Sequence, residues 1–244
     1  MRAVIRSTLG RVARRWLRDQ DAAQRMAVIA LSTSNALARV KARGLEVGTI
    51  IDVGASDGRW SLKAHEVLPG VNCHLVEANP VHRPSLEALC RDRPGFSCSP
   101  VAAGPTDGEV AFDGTNPGGG RAAPSDGLDH PVLPQRSLAS LAREHKLVPP
   151  YLIKLDTHGY ELPILEGAAE LFAHTSLLVI EAYTFPLRGT GPRFFELSGW
   201  MAERGFLVID LSEPLWRPGD GALWQFDLFF VPASRPEFAS IRFR

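Results

Sequence analysis

The stretch TIIDVGASDGRW, residues 49–60, decides the fold of this 244-residue chain. A run of strand-forming residues leads into Gly54 and Gly58, and a helical pattern follows directly. A strand, a glycine-containing turn and a helix in this order are typical of the first unit of a parallel sheet. Because ligands of open parallel sheets bind at the carboxyl ends of the strands, we expect a ligand at this turn.

Further apolar runs of the same kind follow along the chain and alternate with helical patterns. Near-continuous apolar strands joined by helices predict an α/β fold whose mostly parallel sheet is covered on both faces. The predicted strands are residues 49–54, 72–78, 96–103, 151–156, 177–183, 206–211 and 226–232. The predicted helices between them are residues 60–68, 84–92, 137–146, 161–172 and 193–205.

Two connections between these elements lack a helical period. The segment 212–225 contains prolines and glycines, so the last strand can pair in antiparallel fashion instead of after a crossover. The segment 113–134 is rich in glycine and proline, and we expect a long surface loop there, such as an active-site lid.

The charge distribution divides the chain in two. Overall, 27 basic and 27 acidic residues balance, which argues against a nucleic-acid partner held by bulk charge. Residues 1–44, however, carry ten basic and two acidic side chains, a net charge of +8, and the remainder carries −8. We therefore predict a basic helical extension at 1–44 and a main domain at 45–244.

The extension has an apolar stripe, since Ile5, Leu9, Val12 and Trp16 recur at helical spacing. This pattern favours a helix that caps the main domain or a second subunit of a homo-oligomer, over one that lies on a membrane surface. An arginine-rich start is also typical of organelle transit peptides. No apolar run approaches the roughly 20 residues of a membrane span. Three cysteines without a CxxC motif favour reduced thiols and a cytoplasmic location.

The glycine turn does not match the dinucleotide fingerprint. A GxGxxG motif that begins at Gly54 requires glycine where this chain has Ser56 and Arg59. Glu77 lies twenty-three residues after Gly54 at the end of the second strand, where a carboxylate can accept hydrogen bonds from both hydroxyls of a ribose. These features predict a ligand that carries a ribose but no phosphate.

Several motifs resemble those of the FkbM family of S-adenosylmethionine-dependent methyltransferases. They are IIDVGASDGRWS at 50–61, VEANP at 76–80, VAAG at 101–104 with DGEVAF at 107–112, and IKLDTHGYELPILEGA at 153–168. The resemblance implies a class I methyltransferase (Rossmann-like) fold with seven strands, the last antiparallel. It also implies S-adenosyl-L-methionine as cofactor and O-methylation of a sugar or natural product, and it makes 45–244 the catalytic domain.

The resemblance also implies the residues of the cofactor site. The loop after the first strand would lie beneath the methionine part, Glu77 would bind the ribose, and two alanines would border the adenine. The implied cofactor-binding residues are Asp52, Gly54, Ala55, Ser56, Gly58, Glu77, Ala78, Ala102 and Asp156.

For catalysis we expect a base near the acceptor, because an alcohol does not ionise near neutral pH. His158 is the first choice for the base, although a histidine that only closes the turn is equally compatible with its position. In the family that this chain resembles, the position of His158, directly after KLDT, is often Gln or Glu. Asp156 and Glu181 end neighbouring strands in the sequence and are the other candidates. All three residues are suitable metal ligands, but their spacing does not predict a metal site.

Two further interpretations remain open. The acceptor could present another heteroatom, because the cofactor half of such enzymes does not depend on the acceptor. The chain could also be a non-catalytic assembly protein that retains a nucleoside pocket while its basic helices make the contacts. In the favoured interpretation the partner is a small-molecule or carbohydrate acceptor.

Overall fold

The computed structural model describes residues 30–116, 118–122, 130–187 and 191–241. Its strands are β1 (Thr49–Val53), β2 (Asn72–Val76), β3 (Phe96–Ser99), β4 (Ala102–Ala103), β5 (Gly108–Asp113), β6 (Arg121–Ala122), β7 (Val132–Arg136), β8 (Tyr151–Leu155), β9 (Thr175–Tyr183), β10 (Phe206–Trp216) and β11 (Leu223–Pro232). Its α-helices are α1 (Thr33–Ala42), α2 (Arg59–Val67), α3 (Arg83–Asp92), α4 (Leu138–Glu144), α5 (Glu161–Glu166) and α6 (Phe194–Ala202).

Seven of these strands form the central sheet, in the order β3, β2, β1, β8, β9, β11, β10. The strands from β3 to β9 pair in parallel with their neighbours. The last strand, β11, pairs in antiparallel fashion with both β9 and β10. Each of the seven predicted strands overlaps one strand of this sheet, so the predicted mixed α/β sheet is confirmed.

The sheet is covered on both faces, which explains why its central strands are apolar throughout. All five residues of β1 and of β8 are buried. One core contains Leu37 of α1, Ala64 of α2 and Leu86 of α3. The other core contains Ile164 of α5 and Leu197 of α6. The strand order reverses between β1 and β8, so this fold places a ligand-binding crevice at their carboxyl ends.

A second sheet, which the sequence did not predict, lies beside this crevice. It has four strands in the order β4, β7, β5, β6. The predicted strand at 96–103 is in fact two strands in two sheets, separated by Pro100, which has no backbone N–H for a ladder. The predicted loop at 113–134 contains β6 and the first residues of β7 in its described part, while residues 117 and 123–129 lie outside the described residues.

The described part of the N-terminal extension is the helix α1. Its Ala36, Leu37 and Val40 are buried in the core, and Arg39 pairs with Asp210 of β10 through a nitrogen–oxygen distance of 2.8 Å. The stripe predicted from Ile5 to Trp16 lies outside the described residues. The division of the chain after residue 44 stays a prediction. Among the described helices, none has the length and apolar character needed to cross a membrane.

Candidate active site

A cavity of about 360 Å³ lies at the carboxyl ends of β1, β2, β8 and β9. The second sheet contributes to its wall through Phe112 of β5 and Arg121 and Ala122 of β6. The predicted residues that line it are Gly54, Ser56, Glu77, Ala78, Ala102, Asp156, His158 and Glu181. The parallel topology therefore brings most of the predicted site to one cavity, including the predicted acceptor end.

Three predicted cofactor residues, Asp52, Ala55 and Gly58, are not among the residues that line this cavity. Asp52 is fully buried, where it accepts a hydrogen bond of 2.7 Å from Ser61 Oγ. Because side chains alternate along a strand, Asp52 points to the face of the sheet that α2 covers, and not to the strand edge. Asp52 therefore lies beneath the cavity, and its predicted role at the ammonium end of the cofactor, directly or through water, stays a prediction.

Gly58 and Ala55 also have structural roles. Gly58 begins α2 with a φ of +81°, and an added Cβ would lie 2.5 Å from Leu89 Cδ2. Ala55 is buried in the core that α1, α2 and α3 share. These two positions shape the turn after β1, whereas their neighbours Gly54 and Ser56 line the cavity.

Gly54 is required by the approach of two strand ends. Its φ is +74°, and an added Cβ would lie 2.0 Å from the carbonyl oxygen of Asp156. Its N–H donates to the carbonyl of Val76 over 2.9 Å. The sequence predicted a tight turn at this glycine, and the structure gives the reason: the loop passes directly against the end of β8.

Glu77 is held by two backbone N–H groups. Ser56 N–H donates to its Oε2 and Asn79 N–H donates to its Oε1, each over 2.7 Å. A carboxylate can accept about four hydrogen bonds, so each oxygen keeps one acceptor site. Since Glu77 lines the cavity, the two remaining sites suit a pair of neighbouring hydroxyls on a ligand.

Asp156, His158 and Glu181 form a cluster, which we call the acidic-histidine cluster. One ligand-type atom from each lies within 4.8 Å of the other two. His158 Nε2 is 3.7 Å from Asp156 Oδ1. The side chains of His158 and Asp156 are 27% and 33% exposed, whereas Glu181 is buried. The cluster thus has one buried side and one side open to the cavity.

The turn that carries His158 is held by Glu161, whose importance the sequence did not indicate. The buried Glu161 Oε1 accepts hydrogen bonds from Thr157 N at 3.3 Å, Thr157 Oγ1 at 3.1 Å and Gly159 N at 3.0 Å. Burial raises the pKa of Glu161, and these hydrogen bonds oppose the rise. His158 has a φ of +54°, so Glu161 stabilises a turn whose central residue is in the left-handed region.

Glu181 is oriented by two side chains of the sheet. The Tyr183 hydroxyl donates to its Oε2, and the Gln225 amide donates to its Oε1. Burial, followed by the negative charge of Asp156, raises the pKa of Glu181 well above its ordinary value. Tyr183 is itself buried, so it serves to position Glu181.

Lys154 is a further functional residue that the sequence analysis missed. It is only 3% exposed in β8, with Nζ 3.1 Å from Asp156 Oδ2 and 3.6 Å from Asp52 Oδ1. Burial lowers the pKa of Lys154, but the charges of Asp156 and Asp52 outweigh it and raise the pKa overall. The signal was present in the sequence, because a lysine inside the apolar run YLIKL requires a buried partner.

The sequence matches a known family, and the structure is similar to several solved structures. A family model described as the methyltransferase FkbM domain matches residues 52–208. Among solved structures, the chain is similar to a candidate tRNA (m1A22) methyltransferase from Streptococcus pneumoniae in complex with S-adenosyl-L-methionine, with 12% identity, a TM-score of 0.47 and coverage of 80% of this chain and 71% of that chain.

It is also similar to a precorrin-6y C5,15-methyltransferase from Geobacter metallireducens, with 11% identity, a TM-score of 0.44 and coverage of 82% and 90% of the two chains. A candidate O-methyltransferase from Klebsiella pneumoniae has 14% identity, a TM-score of 0.45 and coverage of 83% and 81%. No curated protein matches the sequence.

Proposed function

Because this chain belongs to the FkbM methyltransferase family, we propose that this S-adenosyl-L-methionine-dependent enzyme methylates a hydroxyl group of a sugar or natural product. The observation that carries the proposal is the position of the acidic-histidine cluster in the same cavity as Glu77. Glu77 follows β2 and Glu181 lies on β9, three strands away in the sheet. At about 4.8 Å per strand, this separates the two groups by about 14 Å along the sheet edge.

The residues present fit the cofactor. Glu77 has two free acceptor sites for the ribose hydroxyls, and the small side chains of Ala78 and Ala102 leave room for a flat base beside them. Gly54 and Ser56 line the part of the cavity between Glu77 and Asp156, where the methionine part would lie. The carboxylates of Glu77 and Asp156 also favour a ligand with a positive charge.

When bound, the cofactor supplies a methyl group on a positively charged sulfur, which is already a strong electrophile. The protein must therefore align the acceptor oxygen with this methyl group and accommodate the proton of the hydroxyl. In well-oriented systems, alignment alone lowers the activation free energy by roughly 7 kcal/mol or more. A group that receives the proton increases the rate by roughly a further 10²- to 10⁴-fold.

The acidic-histidine cluster is the part of the cavity that can both align the acceptor oxygen and receive its proton. Glu181 has its two oxygens fixed by Tyr183 and Gln225, and its raised pKa suits a hydrogen bond to the acceptor hydroxyl. His158 is the first choice for the residue that receives the proton, since Asp156 Oδ1, 3.7 Å from Nε2, stabilises the resulting positive charge.

Turnover of His158→Ala and His158→Gln tests this assignment. Methyl transfer from labelled cofactor is measured on a panel of hydroxylated sugars and polyketides, with His174→Gln as the matched control because His174 is exposed. We expect a loss of roughly 10²- to 10⁴-fold in both His158 variants and none in the control. Near-normal rates in both variants would remove His158 from catalysis.

The same panel separates the other interpretations. Transfer to amines or thiols in place of hydroxyls would identify another heteroatom as the acceptor. Cofactor binding without transfer to any acceptor would favour a non-catalytic assembly protein. The proposal also includes a cytoplasmic location, no nucleic-acid partner, and an N-terminal extension that contacts a second subunit or a membrane surface.

A further inference from the structure

The acidic-histidine cluster combines one imidazole and two carboxylates, two of the ligand types that proteins use for divalent cations. Asp156 and His158 come from the end of β8 and the turn after it, and Glu181 comes from β9. Sequence spacing did not predict this site because the third ligand comes from a neighbouring strand. The three ligand atoms converge within 4.8 Å, and the cluster is open to the cavity.

The charges around the cluster leave an excess of carboxylates. Lys154 Nζ lies 3.1 Å from Asp156 Oδ2 and 3.6 Å from Asp52 Oδ1, so its single charge is already shared between two carboxyl groups. One carboxylate oxygen of Glu181 lies within 4.8 Å of one of Asp156, close enough for two negative charges to oppose each other. A cation between Asp156 and Glu181 would remove this repulsion, as one does where carboxylates share a metal.

Each carboxylate of the cluster is oriented from outside by another side chain. Lys154 binds Oδ2 of Asp156 and leaves its Oδ1 facing His158, while Tyr183 and Gln225 hold Glu181. Outer partners of this kind are typical of metal ligands, since they fix the direction of the ligand atoms.

From these observations, and resting on the proposed function, we propose that Asp156, His158 and Glu181 bind a divalent cation that contacts the acceptor hydroxyl. The two carboxylates suit Mn²⁺, and imidazole is a common ligand of transition metals, so Mn²⁺ is the cation used as a probe. Ligand atoms about 2.1 Å from an ion lie roughly 3–4 Å from one another. The distance of 3.7 Å between His158 Nε2 and Asp156 Oδ1 is already in this range. Three protein ligands leave further positions open for the acceptor.

In this arrangement the cation acts as a Lewis acid on the acceptor oxygen. It lowers the pKa of the bound hydroxyl, and the O–H bond breaks as its proton passes to water at the open side of the cluster. The oxygen electron pair forms the bond to the methyl carbon. The carbon–sulfur bond breaks, and its electron pair stays on the sulfur as a neutral thioether. Cation binding would therefore replace the role of His158 as proton acceptor given above, because the same ring nitrogen, Nε2, cannot bind the ion and receive the proton.

Mn²⁺ binding tests the site without any need for an acceptor. Full-length protein is dialysed against a chelator and titrated with Mn²⁺ alone, and free Mn²⁺ is followed by electron paramagnetic resonance. We expect one ion per chain in wild type, at least tenfold weaker binding in His158→Ala and in Glu181→Gln, and wild-type affinity in the exposed control His174→Gln. Tyr183→Phe should weaken binding by roughly 10- to 100-fold, because an outer partner of Glu181 is lost.

Circular dichroism of each variant identifies any that fail to fold, and the inference then rests on those that do. Absence of stoichiometric Mn²⁺ binding in wild type, or equal affinity in wild type and every folded ligand variant, would overturn the site. A parallel titration with S-adenosylhomocysteine keeps the two proposals apart. If S-adenosylhomocysteine binds and Mn²⁺ does not, only the cation site is wrong. If Mn²⁺ binds and S-adenosylhomocysteine does not, the proposed function is refuted.

Discussion

Replacement of Lys154 by methionine removes the buried ammonium group that lies between Asp52 and Asp156. At an effective dielectric constant of about 20, a contact of 3.6 Å with the fully buried Asp52 corresponds to about 5 kcal/mol. The contact with Asp156 counts for less, because a third of that side chain is exposed and solvent screens it. Relief from the desolvation of lysine offsets part of the loss.

We therefore expect Lys154→Met to lower the free energy of unfolding by about 3–5 kcal/mol at pH 7, as for other buried pairs that lose one partner. Most of this cost comes from the charge left on Asp52. Burial already raises the pKa of Asp52, and loss of Lys154 raises it further. A carboxyl whose folded pKa is raised destabilises the protein at high pH, so the deficit should shrink as the pH falls from 7 towards 4.

Urea unfolding followed by circular dichroism measures these effects. The double variant Asp52→Asn with Lys154→Met should lose clearly less stability than the sum of the two single variants, because the orphaned charge is gone. Lys63→Met, at an exposed position of α2, is the matched control and should change stability by less than about 0.5 kcal/mol. A loss below about 1 kcal/mol at pH 7 for Lys154→Met, or additive losses in the double variant, would refute the reasoning.

Two further predictions concern stability. Burial and the charge of His145 lower the pKa of His74 from 6.5 to about 4. The free energy of unfolding is therefore unaffected by this group above pH 6.5 and falls by about 3 kcal/mol as the pH falls towards 4. His74→Gln should flatten the pH dependence of urea unfolding between these values, and an unchanged slope would contradict the assignment. Gly54→Ala should cost about 3 kcal/mol in thermal unfolding, because its Cβ meets backbone at 2.0 Å. Gly70→Ala, at a φ of +83° but with nothing within 4 Å, should cost only about 1–2 kcal/mol, and equal losses would rule out the clash.

The central sheet could be predicted because its strands are buried on both faces. β1 and β8 are therefore apolar along their whole length and stand out from the helices between them. The second sheet could not be predicted in the same way. Its strands β4 and β6 have two residues each, and β7 has one buried residue and contains Pro134. Such short or exposed strands leave no periodic signal.

The candidate site was predictable where strand ends determine it. Gly54, Glu77 and Asp156 directly follow parallel strands, and the carboxyl ends of such strands meet at one edge. Asp52 lies one residue before the strand end, so its side chain does not line the cavity, and its predicted cofactor contact stays a prediction. The partners of the acidic-histidine cluster, Lys154 and Gln225, could not be assigned without the pairing of β8, β9 and β11.

Calorimetric titration with S-adenosylhomocysteine tests the central claim, that this cavity is the cofactor site, most directly. We predict stoichiometric binding to wild type and to Glu66→Gln, a matched control at an exposed position of α2. Glu77→Gln should bind roughly 10- to 100-fold more weakly, because a hydrogen bond to a charged group contributes about 1.5–3 kcal/mol. Absence of binding to wild type, or equal affinity in Glu77→Gln and wild type, would contradict the account.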